Sequence, residues 1–232
     1  MSLRFTGSSG CRVNLGTLDV PSGISGLSIC TWFNPDTFTI DGQRIISKGT
    51  GTSESQIWWG LDILNDSGYK KMRARLKTGI LNLTTTLLAN NSSTYLVANQ
   101  KMFVVFLYDG SNMKLYLNNI ESGSVAKTGN ISTSSIVSAY IGDTPGAARN
   151  FDGVIDDVRI YTRALSVNEM TTIYYSESKD DIVYGLFSRW LMNESSISAV
   201  ASEINSIIDV SDSKKHGTPA GSPTYDVPLA SF

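Results

Sequence analysis

The sequence predicts an all-β fold, a two-sheet antiparallel sandwich or jelly roll with one or two short helices. Apolar and polar residues alternate at period two along most of the chain, and turn-forming residues separate these runs. The predicted strands follow one another without intervening helices, which excludes a doubly wound α/β sheet. A chain of 232 residues is long enough to form one large β domain.

The clearest alternation lies between residues 56 and 77. It predicts two strands, 56–64 and 69–77, joined by the turn Asn65–Gly68. If that four-residue turn sets the register, Trp59 faces Ala74 and Leu61 faces Met72 in the core. On the opposite face the pairs are then Trp58 with Arg75 and Asp62 with Lys71.

Two further runs extend the predicted sheets. After Thr78-Gly79, we expect a strand that buries Leu81, Leu83 and Leu87 and exposes Asn82, Thr84 and Thr86. Residues 103–108 and 113–118 flank the turn Asp109–Asn112 and predict a second hairpin, whose apolar strands are typical of central positions.

Two short helices are predicted. Ser166–Tyr175 begins with Ser166 and Glu169 at capping-box spacing. In the segment 197–208, apolar residues recur at helical spacing, which predicts a second, amphipathic helix.

Composition narrows the function classes. The formal net charge is -2, from 19 basic and 21 acidic residues, so no overall field attracts nucleic acid or an anionic membrane. No apolar run is long enough to insert in a membrane, and residues 1–10 lack the layout of a signal peptide. Cys11 and Cys30 are too few for a disulfide-dense scaffold, and whether they pair stays open. The single histidine, His216, lies in a polar turn and argues against a catalytic triad.

One run carries a family resemblance. The sequence from Phe151 to Tyr161, FDGVIDDVRIY, followed by Arg163-Ala164-Leu165-Ser166, resembles the closing strand and clasp helix of the laminin-G-like, concanavalin-type jelly-roll family. Leu3–Gly7, the strand around Trp32 and the hairpin around Asp109 resemble other strands of that family. The resemblance covers about three quarters of the chain and implies a laminin-G-like jelly roll over residues 1–178.

The C-terminal segment, 179–232, resembles the stretch that usually precedes the opening strand in this family. Here it follows the closing strand. We expect it to pack on or complete the same sandwich, with Trp190 buried; the alternative is that it begins a second repeat.

The resemblance also implies a structural calcium ion. In the resembled fold, a calcium often joins the closing strand's aspartate to backbone carbonyls from distant loops. Asp152, Asp156 and Asp157 crowd within a few residues here, and carboxylates in such a cluster repel one another unless they are exposed, paired or bound to a hard cation. Asp156 is the best candidate, because it shares parity with Val158 and Ile160. The alternative is a hydrogen-bonded group of acids without a metal.

A ligand face is predicted on the polar side of the hairpin. An outward tryptophan can stack on a sugar ring, while guanidinium, amide and hydroxyl groups bind its substituents. The candidate ligand-binding residues are Trp58, Asp62, Arg73, Arg75, Asn82 and Thr84. The alternative is that a loop or the C-terminal segment covers Trp58 and that the basic stripe is solvated surface.

These features favour a non-catalytic module. Concanavalin-like glycosidases carry closely spaced carboxylates on one strand, and no such run exists here. The leading hypothesis is a carbohydrate-binding or adhesion module that recognises a glycan or glycosylated surface, located extracellularly or on a virion. A structural, self-associating module of a virion appendage or extracellular assembly is the alternative.

Overall fold

The computed structural model describes residues 1–66, 69–79, 81–90, 96–146 and 148–229. Within these ranges the chain forms two antiparallel sheets of 8 and 7 strands. The predicted two-sheet jelly-roll sandwich is therefore confirmed.

The first sheet has the strand order β10-β9-β8-β3-β12-β1-β15, with β13 pairing β12 beyond the end of β1. Its strands are β1 (Ser2–Thr6), β3 (Leu27–Pro35), β8 (Met102–Tyr108), β9 (Asn112–Leu117), β10 (Ile120–Ala126), β12 (Asp152–Tyr161), β13 (Leu186–Trp190) and β15 (Thr224–Asp226). The predicted hairpin around Asp109 is β8–β9, and both strands have neighbours on each side.

The second sheet has the strand order β14-β2-β11-β4-β5-β6-β7. Its strands are β2 (Arg12–Asn14), β4 (Gln43–Gly49), β5 (Ile57–Asp66), β6 (Tyr69–Thr78), β7 (Leu83–Leu88), β11 (Ala139–Ile141) and β14 (Thr218–Ala220). A short 3-10 helix, Glu54–Gln56, leads into β5.

The main core lies between the sheets, and a second apolar cluster lies on the outer face of the first sheet. Helix α1 (Val167–Ser176) covers this second cluster with Met170 and Ile173. The predicted capping box is present, since the Ser166 hydroxyl accepts from Glu169 N and the Glu169 carboxylate accepts from Ser166 N. The buried thiols of Cys11 and Cys30 belong to different clusters and are not bonded to each other.

The β5–β6 hairpin has the predicted faces but not the predicted register. Trp59, Leu61 and Ile63 face the core as expected, and Trp59 is 1% exposed. Trp59 pairs with Leu76 and Leu61 with Ala74, a shift of two residues from the prediction. The ladder continues to Asp66 opposite Tyr69, so the strands run further than a four-residue turn allows; Ser67 and Gly68 of that turn lie outside the described residues. A register shift of two residues leaves each side chain on the same face of the sheet, because side chains alternate with period two.

Two other predictions are wrong. Leu81 and Leu83 are 79% and 62% exposed, because Leu81 lies in the turn before β7 and Leu83 begins this edge strand; only Leu87 of that set is buried. Residues 197–208 form no helix, and Val200 and Ile207 instead make isolated bridges to Thr224 and Gly217. Backbone pairing with these other segments of the same chain outweighs the helical preference that the apolar spacing suggests.

The segment after residue 178 contributes strands to both sheets. β13 pairs with β12, β15 pairs with β1, and β14 pairs with β2. Trp190 is fully buried, and its indole N–H donates to the carbonyl of Lys215 at 2.9 Å. These strands share the core of the sandwich and form no core of their own.

Candidate functional site

The predicted ligand face lies on the outer side of the second sheet. Trp58 and Asp62 of β5 alternate with the buried core residues, and Arg73 and Arg75 follow the same alternation on β6. Thr84 is on the edge strand β7, and Asn82 has a left-handed φ of 50° in the turn that leads into it. The structure divides these residues into a buried ionic group and an open rim.

The buried group is centred on Asp62, which is 1% exposed. Arg73 binds it through Nε to Oδ1 at 2.6 Å and through Nη2 to Oδ2 at 3.1 Å. Arg44 of β4 also forms an ion pair with Asp62. Burial, together with repulsion from Arg73 and Arg75, lowers the pKa of Arg44 to about 9. Asp62 and Arg73 are therefore held by internal partners.

A loop covers the next part of this face. Arg75 donates from Nη1 to the carbonyl of Thr52 at 2.9 Å, and Lys77 donates from Nζ to the carbonyl of Ser55 at 2.6 Å. These two side chains are only 8% and 6% exposed. The residues before β5 thus fold over a stripe that sequence alternation places in solvent.

Trp58 and Thr84 mark the open rim. The Trp58 indole Nε1 donates to the carbonyl of Thr133 at 3.3 Å, and Lys77 Nζ lies 3.8 Å from the ring centroid. The Thr84 hydroxyl donates to the carbonyl of Ile57 at 3.0 Å. The tryptophan is partly buried, and its polar edge connects β5 to the loop that contains Thr133.

That loop forms one wall of an open cleft of about 1010 Å³. The opposite wall comes from the turn between β6 and β7, including Asn82 and the exposed Leu81 and Leu83. The lining also contains the loop residues 126–133, with their amide and hydroxyl groups. Neither segment, 78–83 or 126–133, contains an acidic residue.

The loop wall is tightly attached to the sheets. Gly79 N donates to the carbonyl of Asn130 at 2.9 Å, and the Thr78 hydroxyl donates to the carbonyl of Thr128 at 2.6 Å. The Tyr108 hydroxyl donates to the carbonyl of Gly129, whose φ of 95° requires glycine. The cleft is therefore shaped before any ligand binds, which lowers the entropy cost of binding.

Sequence reasoning missed most of this cleft. Lys77 has the same parity as Arg73 and Arg75, but nothing in the alternation marks residues 126–133 as neighbours of Trp58 or Arg44 as a partner of Asp62. Those contacts join residues far apart in the sequence, as with the 75 positions between Trp58 and Thr133.

The three aspartates of the predicted calcium site do not converge. Asp152 and Asp156 are four positions apart on an extended strand, hence about 13 Å apart, whereas calcium ligands lie about 2.3–2.6 Å from the ion. The Asp152 carboxylate accepts from the Thr37 hydroxyl at 3.1 Å, and Asp156 Oδ2 accepts from Leu229 N at 2.9 Å. Within the described ranges no group of three acidic, histidine or cysteine side chains could hold a metal ion.

A β-bulge in β12 explains why parity misplaces Asp156. Asp156 pairs with Trp32 and Arg159 with Cys30, so β12 has one extra residue between these pairs. Asp157 has a left-handed φ of 45° at this point. Asp156 therefore shares the outer face with Trp32, and does not point into the main core with Val158 and Ile160.

Asp157 forms ion pairs with two arginines. Its Oδ2 lies 2.5 Å from Arg159 Nη2, and its Oδ1 lies 2.8 Å from Arg189 Nε. Arg159 in turn binds Asp180 at 2.7 Å. These pairs neutralise Asp157, and because Asp152 and Asp156 lie apart from it on other partners, the three side chains do not form one donor set for calcium. A structural calcium ion stays a prediction.

Comparison with known proteins is consistent with this architecture. A family model for the Concanavalin A-like lectin/glucanases superfamily matches residues 5–171. A putative carbohydrate binding protein from Bacteroides ovatus has a similar structure, with a TM-score of 0.62 and 19% identity, over 98% of this chain and 60% of that chain. The CBM40 of a Ruminococcus gnavus sialidase, bound to alpha2,3 sialyllactose, has a TM-score of 0.51 and 17% identity, over 65% of this chain and 83% of that one.

A curated relative is similar in sequence. The Adhesion G-protein coupled receptor V1 of Danio rerio is 22% identical over 186 residues, which span 78% of this chain but only 3% of the receptor. In the described ranges of the present chain, no helix combines the length and apolarity needed to cross a bilayer.

Proposed function

Because the chain belongs to the concanavalin A-like lectin/glucanases superfamily, we propose that it is a non-catalytic carbohydrate-binding or adhesion module whose glycan lies in the cleft beside Trp58. The observation that carries this proposal is a pre-shaped cleft whose loop wall is hydrogen-bonded, through Thr133, to the outer-face tryptophan Trp58. The buried Asp62–Arg73 pair supports the strands beneath this face and does not contact the glycan.

The lining of the cleft suits a neutral, hydroxyl-rich ligand. Asn82 and Asn130 offer amide donors and acceptors, and Thr128 and Thr133 offer hydroxyl groups. The exposed Leu81 and Leu83 supply apolar surface for the C–H faces of sugar rings. A linear glycan lying along the cleft would place one ring next to Trp58.

The same lining favours binding over hydrolysis. Glycosidases need two carboxyl groups flanking the scissile bond, about 5–10 Å apart. The walls of the cleft contain none, since residues 78–83 and 126–133 are neutral or basic. We therefore expect a bound glycan to dissociate from this cleft without being hydrolysed.

The relatives support the same conclusion. One structure of similar fold is described as a putative carbohydrate binding protein, and another holds sialyllactose. The adhesion receptor that is similar in sequence is named for a role at the cell surface. These similarities support an extracellular location for the module, with a glycosylated surface as its partner; a virion surface stays the alternative.

A glycan array, screened with the wild type and with Trp58→Ala, tests the proposal. We expect the wild type to bind a restricted set of glycans and Trp58→Ala to bind them about tenfold more weakly, the equivalent of about 1.4 kcal/mol. Tyr69→Ala is the matched control, because Tyr69 is an aromatic on the same sheet that is 63% exposed and lies outside the cleft. No glycan bound, or equal loss in both variants, would contradict the proposal.

Self-association is a second candidate function. Ile197, Val200 and Ile204 of the C-terminal segment are 54%, 52% and 81% exposed. If they form one apolar patch, that patch is a candidate protein interface. If this surface is an interface, sedimentation should show an oligomer that Ile204→Glu converts to monomer. A wild type that stays monomeric across the accessible concentrations removes this candidate.

A further inference from the structure

A second cleft, distant in sequence from the Trp58 site, is strongly cationic. It has a volume of about 360 Å³ and lies between the loop 14–18 and the C-terminal segment. Its polar lining comes from Asn14, Thr17, Asn205, Lys214, Lys215 and His216, with Thr218 beside them. Among the described residues that line it none is acidic, although the chain as a whole has a net charge of -2.

A buried carboxylate builds the turn that carries the cations. Asp209 is fully buried and accepts from the backbone N–H groups of Arg189, Ser211 and Lys215, each at 2.9 Å. The Ser213 hydroxyl donates to it at 2.7 Å. These bonds fix the turn 209–215, in which Lys214 adopts a left-handed φ of 50°.

The same turn fixes the histidine ring. His216 Nδ1 accepts from Asp209 N at 3.1 Å, so Nε2 carries the proton of the neutral ring and is a hydrogen-bond donor. The side chains of Lys214 and Lys215 are exposed, and neither has an ion-pair partner within the described part of the chain. Two ammonium groups and an imidazole N–H therefore line one cleft on a hydrogen-bonded turn. The Asp209 carboxylate beneath the turn already accepts from backbone N–H groups and from Ser213, and the exposed Asp212 of the same turn does not line the cleft.

We propose that this cleft binds a tetrahedral oxyanion, a sulfate or phosphate group, through Lys214, Lys215 and His216. A tetrahedral oxyanion presents several strong acceptors in different directions, which matches ammonium, imidazole, amide and hydroxyl donors arranged around one small volume. Lysine contributes a point charge that suits such a group. On the facing side, Gly16 leaves room and Thr17 offers a hydroxyl donor. The Thr218 hydroxyl, on the C-terminal side, already donates to Asn205 Oδ1 at 3.3 Å.

The same tetrahedral oxyanion group occurs in two kinds of ligand. It is either an ester group on a sugar, in which case the site extends recognition to sulfated glycans, or a free inorganic ion. The second cleft does not depend on the Trp58 site, because the two share no lining residue. Trp58→Ala should therefore leave oxyanion binding unchanged, which separates failure of this proposal from failure of the glycan proposal.

NMR titrations with inorganic sulfate, inorganic phosphate, glucosamine 6-sulfate and unsulfated glucosamine test the inference. We expect saturable shifts at Lys214, Lys215 and His216 with the oxyanions, and none there with glucosamine. The variant Lys214→Gln with Lys215→Gln should lose at least tenfold in affinity. Lys114→Gln with Lys179→Gln removes the same charge outside the cleft and should bind like the wild type.

The outcomes are distinct. Tighter binding of the sulfated sugar than of sulfate assigns the group to a glycan, and equal binding assigns the site to a free ion. No saturable binding of any oxyanion overturns the proposal, as does binding that both double variants weaken equally. The double variant should fold, because both lysine side chains are exposed and Lys215 contributes to the turn through its backbone N–H and carbonyl groups. The single variant Lys215→Gln provides a milder second test.

Discussion

A chain that ends after Ser178 is expected not to fold. The deletion removes β13 from β12, β15 from β1 and β14 from β2, and so exposes strand edges in both sheets. It also removes the fully buried Trp190 and Met192 and the nearly buried Tyr225 from the main core. Loss of one large core side chain costs about 3–5 kcal/mol, whereas a whole domain is stable by only about 5–15 kcal/mol.

Circular dichroism and urea denaturation check this result. The truncated chain should show no cooperative transition, while a chain that ends at Leu229 retains every described contact and should unfold like the full chain. A chain truncated after Ser178 that unfolds cooperatively with full-length stability would mean that residues 179–232 are an appendage.

The second large effect is expected from Asp157→Asn. Asparagine tolerates the left-handed φ of 45° at the bulge, so the substitution removes the charge and little else. Arg189 then loses the carboxylate of Asp157 as its ion-pair partner, and Arg159 keeps the Asp180 carboxylate. Breaking a buried ion pair costs about 3–5 kcal/mol, because the remaining charge stays buried without its partner. Asp212→Asn, at an exposed position, should cost almost nothing.

The pH dependence of stability gives an independent check. Burial alone raises the pKa of Asp157, but attraction to Arg159 and Arg189 outweighs it and lowers the pKa below its ordinary value. A lowered carboxyl pKa stabilises the fold above the ordinary value, about 4, and that stability is lost as pH falls through the folded-state pKa. The wild type should therefore lose stability below about pH 4 more steeply than Asp157→Asn. An equal free energy of unfolding for both proteins at pH 7 would contradict the importance of this network.

Local patterns were sufficient for most of the architecture. Period-two alternation gave the correct faces of β5 and β6, because one buried face constrains every second residue, and the Ser166–Glu169 spacing gave the start of α1. The hairpin register was wrong by two residues because alternation is unchanged by an even shift.

The errors arise where distant segments meet. Because of the bulge at Asp157, Asp156 lies on the opposite face of the sheet from the one that its parity predicts. No local sequence pattern indicates where such an extra residue is inserted. The loop that carries Thr52 and Ser55 covers Arg75 and Lys77, so a stripe that alternation assigns to solvent is buried. The apolar spacing of residues 197–208 favours a helix, but Val200 and Ile207 pair with the strand segments near Thr224 and Gly217 instead.

The candidate site was only partly predictable for the same reason. Trp58 was identified from its parity, but its partner Thr133 and the wall formed by residues 126–133 are brought to it by the pairing of Thr78 with Ile131. The cationic turn was visible in the sequence only as Lys214-Lys215-His216. The carboxylate that holds this turn is Asp209, whose hydrogen bonds to Lys215 N and to the Ser213 hydroxyl depend on the folded chain.

The most direct test of the glycan-binding account is a backbone-amide NMR map of the full chain as an array-selected glycan is added. The account predicts that the largest shift changes fall on residues 81–83 and 126–133 and on the Trp58 indole, with smaller changes at Arg73 and Asp62. Changes concentrated on another surface, or no changes at saturating glycan, would contradict it.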